Sequence, residues 1–124
     1  MSKNFMVSIV DDDSSVREAL KDLIRAMGFS VATFVCAEDF LGSDDLSKTD
    51  FLITDMRMPG MSGLELHMRL LAIGTPIPMV LVTAFTDEKE KTRALQAGVM
   101  GYLTKPFNEA ELLAKIRSAL DGKY

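Results

Sequence analysis

The strongest constraint on this chain is the stretch Phe51-Leu52-Ile53-Thr54-Asp55-Met56-Arg57-Met58-Pro59-Gly60. An apolar run without alternation, short enough for a strand covered on both faces, ends in one carboxylate, and Pro59-Gly60 then breaks the backbone. Asp55 is thereby presented at a strand tip. Three further runs end in the same manner: Phe5 to Val10 at Asp11-Asp12-Asp13, Met79 to Val82 at Thr83, and Tyr102 to Thr104 at Lys105-Pro106. In an open parallel sheet the carboxyl ends of all strands lie along one edge, so acids, a hydroxyl and an ammonium are expected to meet in one pocket.

Between these runs the apolar period changes to that of helices. Val16, Leu20, Leu23, Ile24 and Met27 recur at helical spacing behind Ser14 and Ser15, which can cap them, and Gly28 supplies a stop. Ser30 to Phe34 reads as a second strand and Ala37 to Asp44 as a short helix. Leu64, Met68 and Leu71 form an apolar stripe that ends near Gly74, and Thr75-Pro76-Ile77-Pro78 forces an extended connection. The segment Asp87 to Ala97 is a helix with a thin apolar face, Ala94 and Leu95 being nearly all it can bury, so it is the element most expected to move. Lys89, Lys91 and Arg93 alternate there with Asp87, Glu88 and Glu90, which predicts a solvated, mutually paired surface. Lys105-Pro106 is a turn where a cis bond is plausible. Asn108 caps a last helix striped by Leu112, Leu113, Ile116 and Leu120, and Gly122 stops it. Five strands alternate with five helices. Right-handed crossovers then give an α/β fold, a parallel sheet between two helical layers.

A chain of 124 residues with 48% hydrophobic content suits one domain. The net charge of −4 leaves no basic stripe, so this domain is not expected to bind nucleic acid directly or to sit on an anionic membrane. One cysteine, Cys36, cannot make an internal disulfide. No stretch reads as a signal peptide or a membrane span, so a soluble, reducing, cytoplasmic location is expected.

Two or three carboxylates in one depression repel each other unless a hard cation joins them. Mg²⁺ fits, because it prefers oxygen ligands and keeps several waters. Lys105 and Thr83 would supply the charge and the hydroxyl that a transferring phosphoryl needs. One carboxylate must then be the nucleophile. Asp55 stands alone at its strand tip, whereas the Asp11 group offers adjacent acids better suited to metal. The predicted product is an aspartyl phosphate. His67, the only histidine, lies away from the strand tips, and without an evident general base the acyl phosphate should persist as a signal.

These residues closely resemble the receiver domain of bacterial two-component response regulators. Ile9-Val10-Asp11-Asp12, Thr54-Asp55-Met56-Arg57-Met58-Pro59-Gly60-Met61-Ser62-Gly63, Thr83-Ala84 and Lys105-Pro106-Phe107 match its motifs in order and spacing. The resemblance covers essentially the whole chain. It implies a flavodoxin-like three-layer sandwich with a five-stranded parallel sheet of order 2-1-3-4-5. It implies that Asp55 accepts a phosphoryl group from a sensor histidine kinase, and that Asp12, Asp55 and the carbonyl of Arg57 ligate Mg²⁺, or Mn²⁺, with Asp11 acting mostly through water. Thr83, the amide of Ala84 and Lys105 are implied to hold the phosphoryl group. Thr83 and Tyr102 take the switch positions, and phosphorylation-linked homodimerisation through the fourth helix and fifth strand is implied.

Within the family, the loops 56–63 and 74–78 look most like the FixJ-like regulators, which usually carry a helix-turn-helix DNA-binding domain after the receiver. The chain is then either an isolated receiver from a transcription regulator or a naturally single-domain protein. Blander roles stand beside the sharp ones. Asp13 suits a helix cap better than a metal ligand, Tyr102 could be half-buried core, and Cys36 and His67 read as structural or surface residues. Met56, Met58 and Met61 flank the pocket without an evident role. A haloacid-dehalogenase-type phosphatase with Asp11 as nucleophile is the main alternative, although no later Gly-Asp-x-x-x-Asp motif exists. A flavodoxin-like electron carrier is the other, although three aspartates would repel a flavin phosphate.

Overall fold

In the computed structural model, which describes residues 4–121, five strands form one parallel sheet of order β2-β1-β3-β4-β5. The strands are β1 (Met6–Val10), β2 (Ser30–Phe34), β3 (Phe51–Asp55), β4 (Met79–Thr83) and β5 (Gly101–Thr104). The helices are α1 (Ser14–Ala26), α2 (Ala37–Leu41), α3 (Gly63–Ala72), α4 (Glu88–Gln96) and α5 (Glu109–Leu120). The expected α/β sandwich and strand order are what the chain forms. Gly122, expected to stop α5, lies outside the described residues.

The central strands β3 and β4 are buried along their whole length, as unalternating apolar runs require when both sheet faces are covered. On one face Leu20 and Ile24 of α1 and Leu112, Ile116 and Leu120 of α5 pack against Ile9, Ile53, Val80 and Val82. On the other, Phe40 of α2, Leu66 and Leu70 of α3 and Ala94 of α4 cover Val10, Leu52 and Leu81. The register pairs Val10 with Thr54, Thr54 with Leu81 and Leu81 with Tyr102, so the strand ends are level.

Several local expectations are corrected. Asp13 caps α1, as its reading as a helix cap expected, its carboxylate accepting the amides of Ser15 and Val16; Ser14 and Ser15, also expected as caps, do not take that place. Helix α2 ends at Leu41 rather than Asp44, and a separate 3₁₀ turn follows at Leu46–Lys48. The stripe on α3 is out of phase. Leu66 and Leu70 are buried, whereas Met68 is 50% and Leu71 43% exposed. Helix α3 is apolar nearly all round, so periodicity fits two stripes. Gly63 decides between them: a Cβ there would lie 2.5 Å from Leu81 Cδ2 and 2.6 Å from the carbonyl oxygen of Asp55. The one position with no side chain therefore faces the sheet, and Leu66 and Leu70 follow it inward.

Helix α4 buries only Ala94; Leu95, expected to join it, is 43% exposed. Polar contacts supplement that thin packing. Asp87 caps its first turn, and the carbonyl of Ala97 at its last turn lies 2.8 Å from Nε2 of the buried His67 on α3. His67 is thus a structural tie, as its position away from the strand tips suggests.

Candidate functional site

Each acid of the site sits where a strand runs out. Asp11 follows β1 and continues its ladder, its amide donating to the Phe34 carbonyl. The Asp11 side chain is almost wholly buried: Oδ1 accepts the Asp13 amide at 2.9 Å and Oδ2 meets Lys105 Nζ at 3.1 Å. Arg17 on α1 donates to the Asp11 carbonyl at 2.8 Å, which fixes the loop from the other side. Asp12 projects into solvent beside it. Asp55 closes β3 at 7% exposure, and oxygen atoms of Asp11, Asp12 and Asp55 all lie within 4.8 Å of one another.

Burial raises the Asp55 carboxyl from an ordinary 3.8 to about 6. The neighbouring Asp11 charge adds to the rise, while Lys105 and the amide of Arg57, which donates to the carboxylate, oppose it. Lys105 follows β5 across a cis bond to Pro106, and its Nζ stands 3.6 Å from Asp55 Oδ1. One ammonium thus serves two carboxylates. A third acid with no second cation leaves surplus negative charge on a hard all-oxygen donor set, the environment that suits Mg²⁺.

Strand alternation divides the expected site residues between the two faces of the sheet. Asp11, Asp55 and Lys105 share the face of α1 and α5. Thr83 and Tyr102 belong to the face of α3 and α4. The Thr83 hydroxyl is buried and engaged in its own loop, donating to the Phe85 carbonyl at 3.1 Å and accepting the Phe85 amide at 3.3 Å. Ala84 is exposed beside it. Tyr102 is buried, with its hydroxyl donating to Glu90 Oε1 at 2.5 Å. Burial, and then that bond, push its phenol up to about 12.

Glu90 is the site residue that periodicity misses. It also pairs with Arg57 at 3.3 Å, so it joins α4 both to the loop after Asp55 and to β5. The expectation that the charges of α4 pair among themselves is corrected: among the described residues, the ion pair made by α4 reaches off the helix to Arg57. The signal was the hydroxyl of Tyr102, since a buried tyrosine needs a partner that a phenylalanine does not.

A doubly wound parallel α/β domain with three carboxylates and a lysine gathered at its strand tips holds the groups that phosphoryl transfer needs. Residues 7–117 match the model of the response regulator receiver domain, and the chain belongs to that family. It is a signalling domain, and membership of this family sets aside the haloacid-dehalogenase-type alternative.

The chain is 42% identical over 115 residues to the response regulator protein TodT of Pseudomonas putida, covering 93% of this chain and 51% of that protein. It is 34% identical over 120 residues to the transcriptional regulatory protein FixJ of Azorhizobium caulinodans, covering 97% of this chain and 57% of that one. The solved structure of the response regulator StyR superposes with a TM-score of 0.87 at 46% identity, covering 96% of this chain and 60% of that one. The chain therefore spans about half to three fifths of the length of these relatives. Receiver domains bind Mg²⁺ at a cluster of aspartates, and Asp11, Asp12 and Asp55 form such a cluster. Membership implies a sensor histidine kinase as partner. Among the described residues no helix is long and apolar enough to cross a membrane.

Proposed function

We propose that Asp55 is the phosphoacceptor of this receiver. The observation that supports it best is the convergence of the Asp11, Asp12 and Asp55 carboxylates with Lys105 Nζ 3.1 Å from Asp11 and 3.6 Å from Asp55. An Asp55 carboxylate oxygen attacks phosphorus, the P–N bond to the kinase's phosphohistidine breaks, and the imidazole keeps the electron pair and takes up a proton. Asp11 is less suited to attack, because both of its oxygens are engaged and its side chain is nearly sealed from solvent.

Asp12, Asp55 and the carbonyl of Arg57 would hold Mg²⁺, or Mn²⁺, with Asp11 reaching it mostly through water. When bound, the ion offsets the charge of the incoming phosphoryl oxygens. Lys105 already bridges Asp11 and Asp55, so it can follow the phosphoryl group as charge builds there. The Ala84 amide and the Thr83 hydroxyl complete the cradle once that hydroxyl leaves Phe85. Movement of Thr83 alters the packing beside Tyr102 and with it the surface of α4 and β5, through which the phosphorylated domain pairs with a second copy. The receiver unit is one domain of a cytoplasmic regulator and controls a DNA-binding module, in line with its similarity to the transcriptional regulatory protein FixJ.

Incubation with acetyl phosphate and Mg²⁺, followed by peptide mapping of the acyl phosphate, tests the assignment. Label is expected on Asp55 and absent from Asp55→Asn. Label on Asp11, or normal labelling of the variant, would overturn it.

A further inference from the structure

The methionines after Asp55 play no part in the chemistry above, yet two of them form one wall of an open cleft of about 650 Å³ between the β3–α3 loop, α3 and α4. Met56, Met61, Leu64 and Met68 line its apolar part, with Arg69 on α3 and Arg93 on α4 at its edges. On α3, Leu71, 43% exposed, lies one turn beyond Met68 on the same side of the helix. Methionine repacks around different shapes at little cost, which suits a surface that receives a partner.

Charge tells which partner. Among the described residues neither Arg69 nor Arg93 has an ion-pair partner, although the whole chain carries a net charge of −4. The one acid lining the cleft, Glu65, is held by the Ser62 amide in the capping box of α3, which keeps its carboxyl below the ordinary range. Two unpaired cations thus flank an apolar strip on an otherwise acidic protein. Leu64, Met68 and Leu71 are spaced along α3 as the facing residues of a second helix would require.

We propose that the cleft between α3 and α4 is a docking groove for an acidic amphipathic helix of a partner protein. Apolar anchors of that helix lie on Met56, Met61 and Met68, and its flanking carboxylates meet Arg69 and Arg93. Binding requires no phosphoryl group, so the proposal stands or falls separately from the role of Asp55.

Two synthetic peptides of about 18 residues, with the same leucine stripe and either glutamate or lysine on its flanks, provide the probe. Each is titrated into the protein carrying ¹³C-methyl methionine and followed by NMR. The glutamate peptide is expected to bind about tenfold more tightly than its lysine twin and to shift the methyls of Met56, Met61 and Met68. In R69E/R93E, whose two changes are on exposed side chains in the last turns of α3 and α4, the preference should reverse; the melting temperature should fall by a few degrees from the lost helix-end charges, with the methyl spectrum away from the cleft unchanged. Equal binding of the twins, no binding, an unchanged preference in the charge-reversed variant, or shifts confined to other methionines would each overturn the proposal. So would binding of phosphatidylglycerol vesicles at this cleft in preference to the glutamate peptide.

Discussion

Asp55→Asn should make the cation-free protein more stable at neutral pH while removing its ability to accept a phosphoryl group. The Asp55 carboxyl is raised from 3.8 to about 6, chiefly by burial and then by the charge of Asp11. A raised pKa means that the folded state prefers the protonated acid. Asp55 therefore costs nothing below its unfolded value, begins to cost as pH climbs past about 4, and costs fully above about 6. The full shift corresponds to about 3 kcal/mol, which water at the open strand-tip mouth reduces to about 1–2 kcal/mol. Asparagine keeps the shape and the hydrogen bond from the Arg57 amide but carries no charge, and Lys105 retains Asp11 as partner.

The assay is urea denaturation of the parent and the variant in EDTA at a series of pH values. The stability difference should be near zero at about pH 4, grow through pH 6 and level off above it at about 1–2 kcal/mol in favour of the variant. Mg²⁺ should narrow the gap at pH 8, because the parent gains stability from binding the ion and the variant gains less. A variant equally stable or weaker at pH 8, or a difference without pH dependence, would refute the claim that crowded, buried negative charge dominates this pocket.

Gly63→Ala should destabilise by about 1–3 kcal/mol, because its methyl meets a backbone oxygen of β3 as well as the Leu81 side chain, and an unchanged urea midpoint would contradict the close packing of α3. Tyr102→Phe keeps the buried ring and loses the bond to Glu90, costing about 1 kcal/mol by the same measurement; no loss would mean that the hydroxyl does not hold α4. Lys105→Ala should still take label from acetyl phosphate but shrink the NMR difference between the free and phosphorylated forms, and an undiminished difference would remove its role in the response. Amide hydrogen exchange should be faster in α4 than in α5, since α4 buries Ala94 alone whereas α5 buries Leu112, Ile116 and Leu120; equal protection would show that the polar ties suffice.

The central strands β3 and β4 and the groups at their tips were legible because each run is largely apolar and stops at a carboxylate or a hydroxyl, whereas β2, Ser30-Val31-Ala32-Thr33-Phe34, was read from β-preferring residues alone. The phase of α3 was not, since Leu64, Leu66, Met68, Leu70 and Leu71 satisfy helical spacing in more than one way. Only the close approach of Gly63 to β3 and β4 resolves it, and that is a tertiary fact. Glu90 was hidden for a related reason. In the sequence it is one charge in a run of alternating charges, and its partners Arg57 and Tyr102 stand 33 and 12 residues away. The Asp13 cap was legible, but not to the exclusion of Ser14 and Ser15, because aspartate and serine cap about equally well and spacing leaves all three open.

The division of the site between two sheet faces has a consequence for how a signal leaves it. Asp11, Asp55 and Lys105 lie on the side of α1 and α5, whereas Thr83, Tyr102 and Glu90 lie with α4 on the other, and the packed strands between them have no room to transmit a side-chain movement. Coupling must therefore pass over the strand tips. Two connections do so directly. The Arg57 amide touches the Asp55 carboxylate while its guanidinium holds Glu90, and the Lys105 amide donates to the Thr83 carbonyl at 2.7 Å. Under the role proposed for Asp55, charge arriving there would pull at both, and α4, with one buried side chain to hold it, is the element with the least packing to resist.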